Sequence, residues 1–189
     1  MVVEALYIAY MTLSTLGLGD VIPVTPWLRL ATALEALTGF ALITAAMTWF
    51  MQVYPPLTRR RSLGLRLSTL GSAELAQSMA TLDARYVATV LDGLTAQIAT
   101  VQVDLTQHTE SYFFHEDAPR RSLARQLPVA LALRDAAARS PAPELRVSGH
   151  ALAVVLDQLA DALRTTVPSD GGTDAVFRAY AEAHERGRR

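Results

Sequence analysis

The chain has 189 residues, a formal charge of -1 at pH 7 and no cysteine. These values exclude disulfides, thiolate chemistry and cysteine-bound metal clusters, and they give no electrostatic footprint for nucleic acid. Mean hydropathy is +0.22, and residues 1–57 carry only Glu4, Asp20, Arg29 and Glu35 as charges, a split that reads as a membrane module followed by a water-soluble one.

The first element, VVEALYIAYMTLS, is too short to span a bilayer but long enough for a re-entrant helix over 3–14. It lacks the basic start and small-residue cleavage site of a secretory signal. Next comes TLGLGD, residues 15–20, followed by Pro23. Irregular backbone at membrane depth is tolerated only where it lines a cavity or is buried in protein. Alternating glycines admit left-handed backbone angles that other residues resist. A strand alternating left- and right-handed conformations points successive carbonyls to one side. Several copies around an axis then stack rings of oxygens that replace the hydration shell of a cation. The Thr15 hydroxyl adds one more oxygen layer, and the helix before it aims its partially negative carboxyl end at the same path.

The longest apolar run, PWLRLATALEALTGFALITAAMTWFMQVYPPL, predicts an inner transmembrane helix over 26–54. Ala36 to Tyr54 contains no charge, about the length a spanning helix needs. Pro26 suits the first turn, and Pro55-Pro56 is expected to stop the helix. Trp27 near one end, with Trp49 and Tyr54 near the other, fits two aromatic belts. Arg59, Arg60, Arg61 and Arg66 form a basic juxtamembrane linker over 58–66 and make that end cytoplasmic, so TLGLGD faces outward. Glu35 has two readings: a structural hydrogen bond behind the loop, or a functional intramembrane carboxylate. Gly39 has two as well, a gating hinge or a close-packing residue.

Beyond Arg66 the pattern is helical throughout, predicting a helical cytoplasmic domain over 67–189. Ser72 is expected to cap LGSAELAQSMATL. Asp83 opens a long amphipathic stretch bearing Tyr86, Val87, Val90, Leu91, Leu94, Ile98, Val101 and Leu105. Ala118–Arg139 places Leu123, Leu127, Leu131 and Ala132 on one side. Gly149–Thr166 carries the stripe Leu152, Val155, Leu156, Leu159 and Leu163, and Ala175–Glu185 forms a last short helix. HTESYFFHED, residues 108–117, offers a metal site or pH sensor through His108 and His115, set against Phe113 and Phe114 as simple core plugs. No nucleotide-binding pattern and no small-molecule ligand is identifiable in this domain.

TLSTLGLGDVIPVTPWLRL resembles the pore loop of small two-helix bacterial potassium channels and of two-pore-domain channels. Within it, Thr15-Leu16-Gly17-Leu18-Gly19-Asp20 is similar to the signature T-V-G-Y-G-D. The resemblance covers about residues 3–54. It implies a homotetramer in the lipid bilayer of the cell, with carbonyls of Thr15, Leu16, Gly17 and Leu18 and the Thr15 hydroxyl as ion ligands. Gly19 completes that filter, flanked by Ser14 and Asp20, with Leu6 to Ser14 on the pore helix. Gly39 falls at the family's flexible inner-helix glycine, and LEALTG, which contains Glu35, is similar to its inner helix. The family is not enzymatic and uses no cofactor, only potassium as permeant ion.

Three departures accompany the resemblance. Leu16 replaces valine, a mild change, and Leu18 replaces tyrosine, removing a hydroxyl that tethers the filter. The family has an outer helix ahead of the pore helix, whereas Met1 here stands almost at the pore helix. The expected fold is therefore all-α, a membrane pore module over 1–57 followed by a helical cytoplasmic domain, and the expected function is potassium conduction. The alternatives are a non-conducting remnant acting as a membrane-tethered helical binding module, a weakly selective cation channel and, least favoured, a soluble helical enzyme.

Overall fold

The computed structural model describes residues 2–107, 116, 118–167 and 169–186, and these form helices and connecting turns without strands. The elements are α1 (Val2–Leu13), α2 (Pro26–Ser72), α3 (Leu75–Ser78), α4 (Ala84–Gln107), α5 (Leu123–Ala138), α6 (Pro143–Arg164) and α7 (Thr173–Arg186). Residues 108–115 and 117, which include both histidines of HTESYFFHED and its two phenylalanines, lie outside the described residues. The chain divides into two compact units, Met1–Gln52 and Val53–Arg189.

The first unit holds α1, the loop after it and the first half of α2. No residue of α1 is buried. The Thr25 carbonyl accepts the first ladder bond of α2 from Arg29 N at 3.2 Å, and Pro26 follows at the position where a missing N–H costs nothing. α2 is the one described helix long and apolar enough to cross a membrane, and its most apolar window is only 6% buried within the chain. A core helix of a water-soluble protein would be shielded by its own chain; this one is not.

The expected stop at Pro55-Pro56 is not where the helix ends: α2 runs through both prolines to Ser72. Each proline removes an N–H and crowds the preceding turn, a cost of about 3 kcal/mol apiece. The donors lost are those to the carbonyls of Met51 and Gln52. Burial of Leu63 and Leu67, both at most 1% exposed, returns about 1.5–3 kcal/mol each. Ion pairs add to this. The Arg59 guanidinium donates to both Asp104 carboxylate oxygens at 2.7 Å, and Arg61 lies 2.5 Å from Glu116. Segment 58–66, expected as a linker, is thus helix held into the second unit.

The second unit packs this end of α2 with α3 to α7. α4 and α6 form its most extensive pairing. The core gathers Leu91, Leu94 and Ile98 of α4, Leu127 and Leu133 of α5, Leu152, Leu156 and Leu159 of α6, and Phe177 and Tyr180 of α7. The stripe expected on α6 is buried throughout, while Tyr86 of the α4 stripe is exposed. Asp83 caps α4 as expected, its carboxylate accepting from Tyr86 N at 2.8 Å.

Other starts differ from expectation. Ser72 ends α2 instead of opening a helix, and Glu74 at φ 50 turns the chain into α3. α5 begins at Leu123 because 118–121 form a turn closed by Arg121 N to Ala118 O at 3.0 Å. α6 begins at Pro143, a first-turn proline, six residues ahead of Gly149.

Candidate functional site

Loop 14–20 leaves the carboxyl end of α1 with its N–H groups folded back on the helix. The Met11 carbonyl accepts from Leu16 N at 3.1 Å, from Gly17 N at 3.3 Å and from the Ser14 hydroxyl at 3.2 Å. Thr15 N donates to Thr12 O and Ser14 N to Tyr10 O, both at 3.0 Å. Among the described residues no donor reaches the carbonyls of Thr15, Leu16, Gly17, Leu18 or Gly19, nor does the Thr15 hydroxyl have a partner. The first half of the loop, residues 14–17, therefore spends its amide donors inward, while the carbonyls of 15–19 stay open, the polarity a cation requires.

The backbone alternates. Thr15, Gly17 and Gly19 have φ of 60°, 49° and 73°, while Leu16 and Leu18 between them do not enter the positive region. Nothing lies within 4 Å of a side chain built on Gly17 or Gly19, so glycine is required there by backbone angle and not by crowding. Thr15 is β-branched, and a positive φ at such a residue costs about 1–3 kcal/mol. All of residues 14–20 are exposed within the single chain.

At the far end of the loop, the Tyr7 hydroxyl donates to Asp20 Oδ2 at 2.7 Å, tying α1 to the loop's last residue. Sequence reasoning missed Tyr7. It lies thirteen residues from Asp20 across a turn, and no local pattern signals that pairing. The Arg29 side chain holds the next stretch by donating from Nε to Pro23 O at 2.8 Å. A cavity of 360 Å³ adjoins the loop, lined by Tyr7, Thr12, Asp20, Arg29 and Ala36 among others.

Glu35, one of the two candidate supports, is half-buried and makes no hydrogen bond or ion pair among the described residues. Gly39, the other, is buried against the end of α1. His108 and His115 lie outside the described residues, and among those described no acidic and histidine cluster suits a metal ion.

Residues 2–54 match the model of a family described as ion channel. Comparison with curated proteins and with solved structures gives no match. The matched span takes in α1, the loop and most of the apolar length of α2. It suggests ion conduction in a membrane setting and points away from an enzymatic role.

Proposed function

We propose that the chain is the pore-forming subunit of a potassium channel, four copies of which gather Thr15–Gly19 into one selectivity filter. The observation that carries this reading is the loop's polarity: alternating φ and five unpartnered carbonyls, with the amide hydrogens of Leu16 and Gly17 turned back on Met11. Rings of such carbonyls, with the Thr15 hydroxyl as a further layer, substitute for the water around a dehydrated potassium ion. The carboxyl end of α1 adds its partial negative charge. Ser14 and Asp20 flank the filter, Asp20 fixed by Tyr7.

Four copies also answer the exposure of the first unit. Leu6, Leu13, Leu16, Leu18, Leu34 and Phe40 are all at least 40% exposed in the single chain, and lipid and neighbouring copies are the natural cover for so much apolar surface. The arginines at 59–61 orient the helical domain to the cytoplasm of the cell membrane. The protein takes no cofactor, with potassium only as permeant ion, and binds no nucleic acid.

The test is flux. The full chain in liposomes is expected to pass potassium far faster than sodium, and its mass in detergent is expected to equal four 20.5 kDa chains. A second reading, a weakly selective cation channel, is favoured by Leu18 in place of the filter tyrosine, and near-equal permeation would select it. Oligomers with no flux at all would leave a non-conducting membrane-tethered helical module.

A further inference from the structure

Gly39 is the only described residue of Met1–Gln52 that is buried. The three atoms nearest to a Cβ built on it are all Leu13 backbone: the carbonyl oxygen at 2.0 Å, the carbonyl carbon at 2.8 Å and Cα at 3.0 Å. No rotamer change relieves such a clash, because these nearest atoms are main chain. Leu13 is the last residue of α1 and stands two residues before Thr15. Its carbonyl is one of those a helix end leaves without a ladder donor, and no N–H reaches it among the described residues. It sits instead where the second Cα hydrogen of Gly39 points, a weak contact that only glycine can make at that depth.

We propose that Gly39 is a positioning residue of the filter. By lacking a side chain it seats the carboxyl end of α1 against α2 and so fixes where the Thr15–Gly19 loop starts. This deepens the ion-path reading of that loop and rests on it. Gly39 is then a fixed contact and not a bending point. Any side chain there pushes Leu13 away and carries Ser14 and Thr15 with it.

Relocating the glycine separates the two roles. Wild type, Gly39→Ala and the double variant Gly39→Ala with Ala41→Gly are reconstituted as full chains, Ala41 being exposed. Reversal potential under a potassium–sodium gradient, open probability and oligomer mass in detergent are measured for each. The expected result is a severalfold fall in the potassium-to-sodium permeability ratio of Gly39→Ala that the relocated glycine does not restore. A Gly39→Ala protein with the wild-type ratio and altered open probability overturns the proposal, as does restoration by Ala41→Gly.

Where Gly39→Ala yields no oligomer, the same comparison decides. Failure of both variants, with Leu42→Ala assembling as the folding control, supports the seat; assembly of the double variant overturns it. A wild type without selective current fails the ion-path reading and this inference together, whereas a selective wild type with an unchanged Gly39→Ala ratio sinks this inference alone.

Discussion

A β-branched residue and two glycines share the left-handed region within five positions, and each makes a separate demand. Replacing Gly19 by alanine adds no clash but imposes about 1–2 kcal/mol of backbone strain. Gly19→Ala is expected to assemble yet lose most of its potassium-over-sodium preference, measured as a shift of reversal potential toward zero in planar bilayers. Tyr7→Phe removes the hydroxyl that holds Asp20 and leaves the ring. The hydrogen bond is exposed, so the loss of stability is small. Its expected signature is current that decays faster during sustained conduction, with the permeability ratio near that of wild type at the outset.

In the second unit the Arg59–Asp104 pair is bidentate, with Asp104 10% and Arg59 46% exposed at the side chain. Asp104→Ala leaves Arg59 enough water to solvate itself, so the expected cost is about 1–2 kcal/mol, below that of a fully buried pair. A thermal midpoint measured by circular dichroism checks it. The hydrogen bonds that Arg59 donates to Asp104 hold its guanidinium above the ordinary arginine range. A raised pKa means this contribution is complete below that ordinary range and is lost only as pH climbs beyond the folded value. On the arginine side, then, the pair is constant across the physiological range.

α2 shows what local sequence rules capture and what they miss. Its start was legible, because Pro26 and the charge-free run speak the same language. Its end was not. Two prolines are the strongest local stop signal, yet the decision was taken by the burial of Leu63 and Leu67 and by Asp104 on α4, and both depend on helices distant in sequence. The amphipathic stripes of α4 and α6 read correctly apart from Tyr86, since a helical period reports the buried face directly. Pro55→Ala with Pro56→Ala returns two N–H donors to the Met51 and Gln52 carbonyls. Slower amide hydrogen exchange across residues 50–60 is expected, with helix stability raised by up to about 3 kcal/mol per site. Unchanged exchange would mean that water or a side chain already satisfies those carbonyls.

At the scale of the whole chain, the candidate filter was legible from Thr15 to Asp20 because its chemistry is local: glycine spacing sets backbone angle, and backbone angle sets where carbonyls point. Its neighbours were legible only in part: Gly39 was read as a hinge or a close-packing residue without its partner, and Tyr7 was not read at all. Tyr7–Asp20 and Leu13–Gly39 join positions separated by thirteen and twenty-six residues, and no periodicity links them. The second unit has a core of its own. Leu156, fully buried in α6, is expected to cost about 2–5 kcal/mol when replaced by alanine. Chemical denaturation followed by circular dichroism should show the loss, while selectivity in liposomes stays at the wild-type value.

The proline pair also has a bearing on how the protein comes apart. When heat opens the core around Leu63 and Leu67, the last turns of α2 lose their reason to stay wound, and fraying travels backwards along the helix. At Pro56 and Pro55 it meets a turn that already lacks two rungs, a weak point that separates these last turns from the apolar length of the helix before them. Trypsin added to a gently warmed sample should therefore cut at Arg66 and then at Arg61, Arg60 and Arg59, shortening the greasy amino-terminal stub to 1–59, which holds Arg29 as its one internal site.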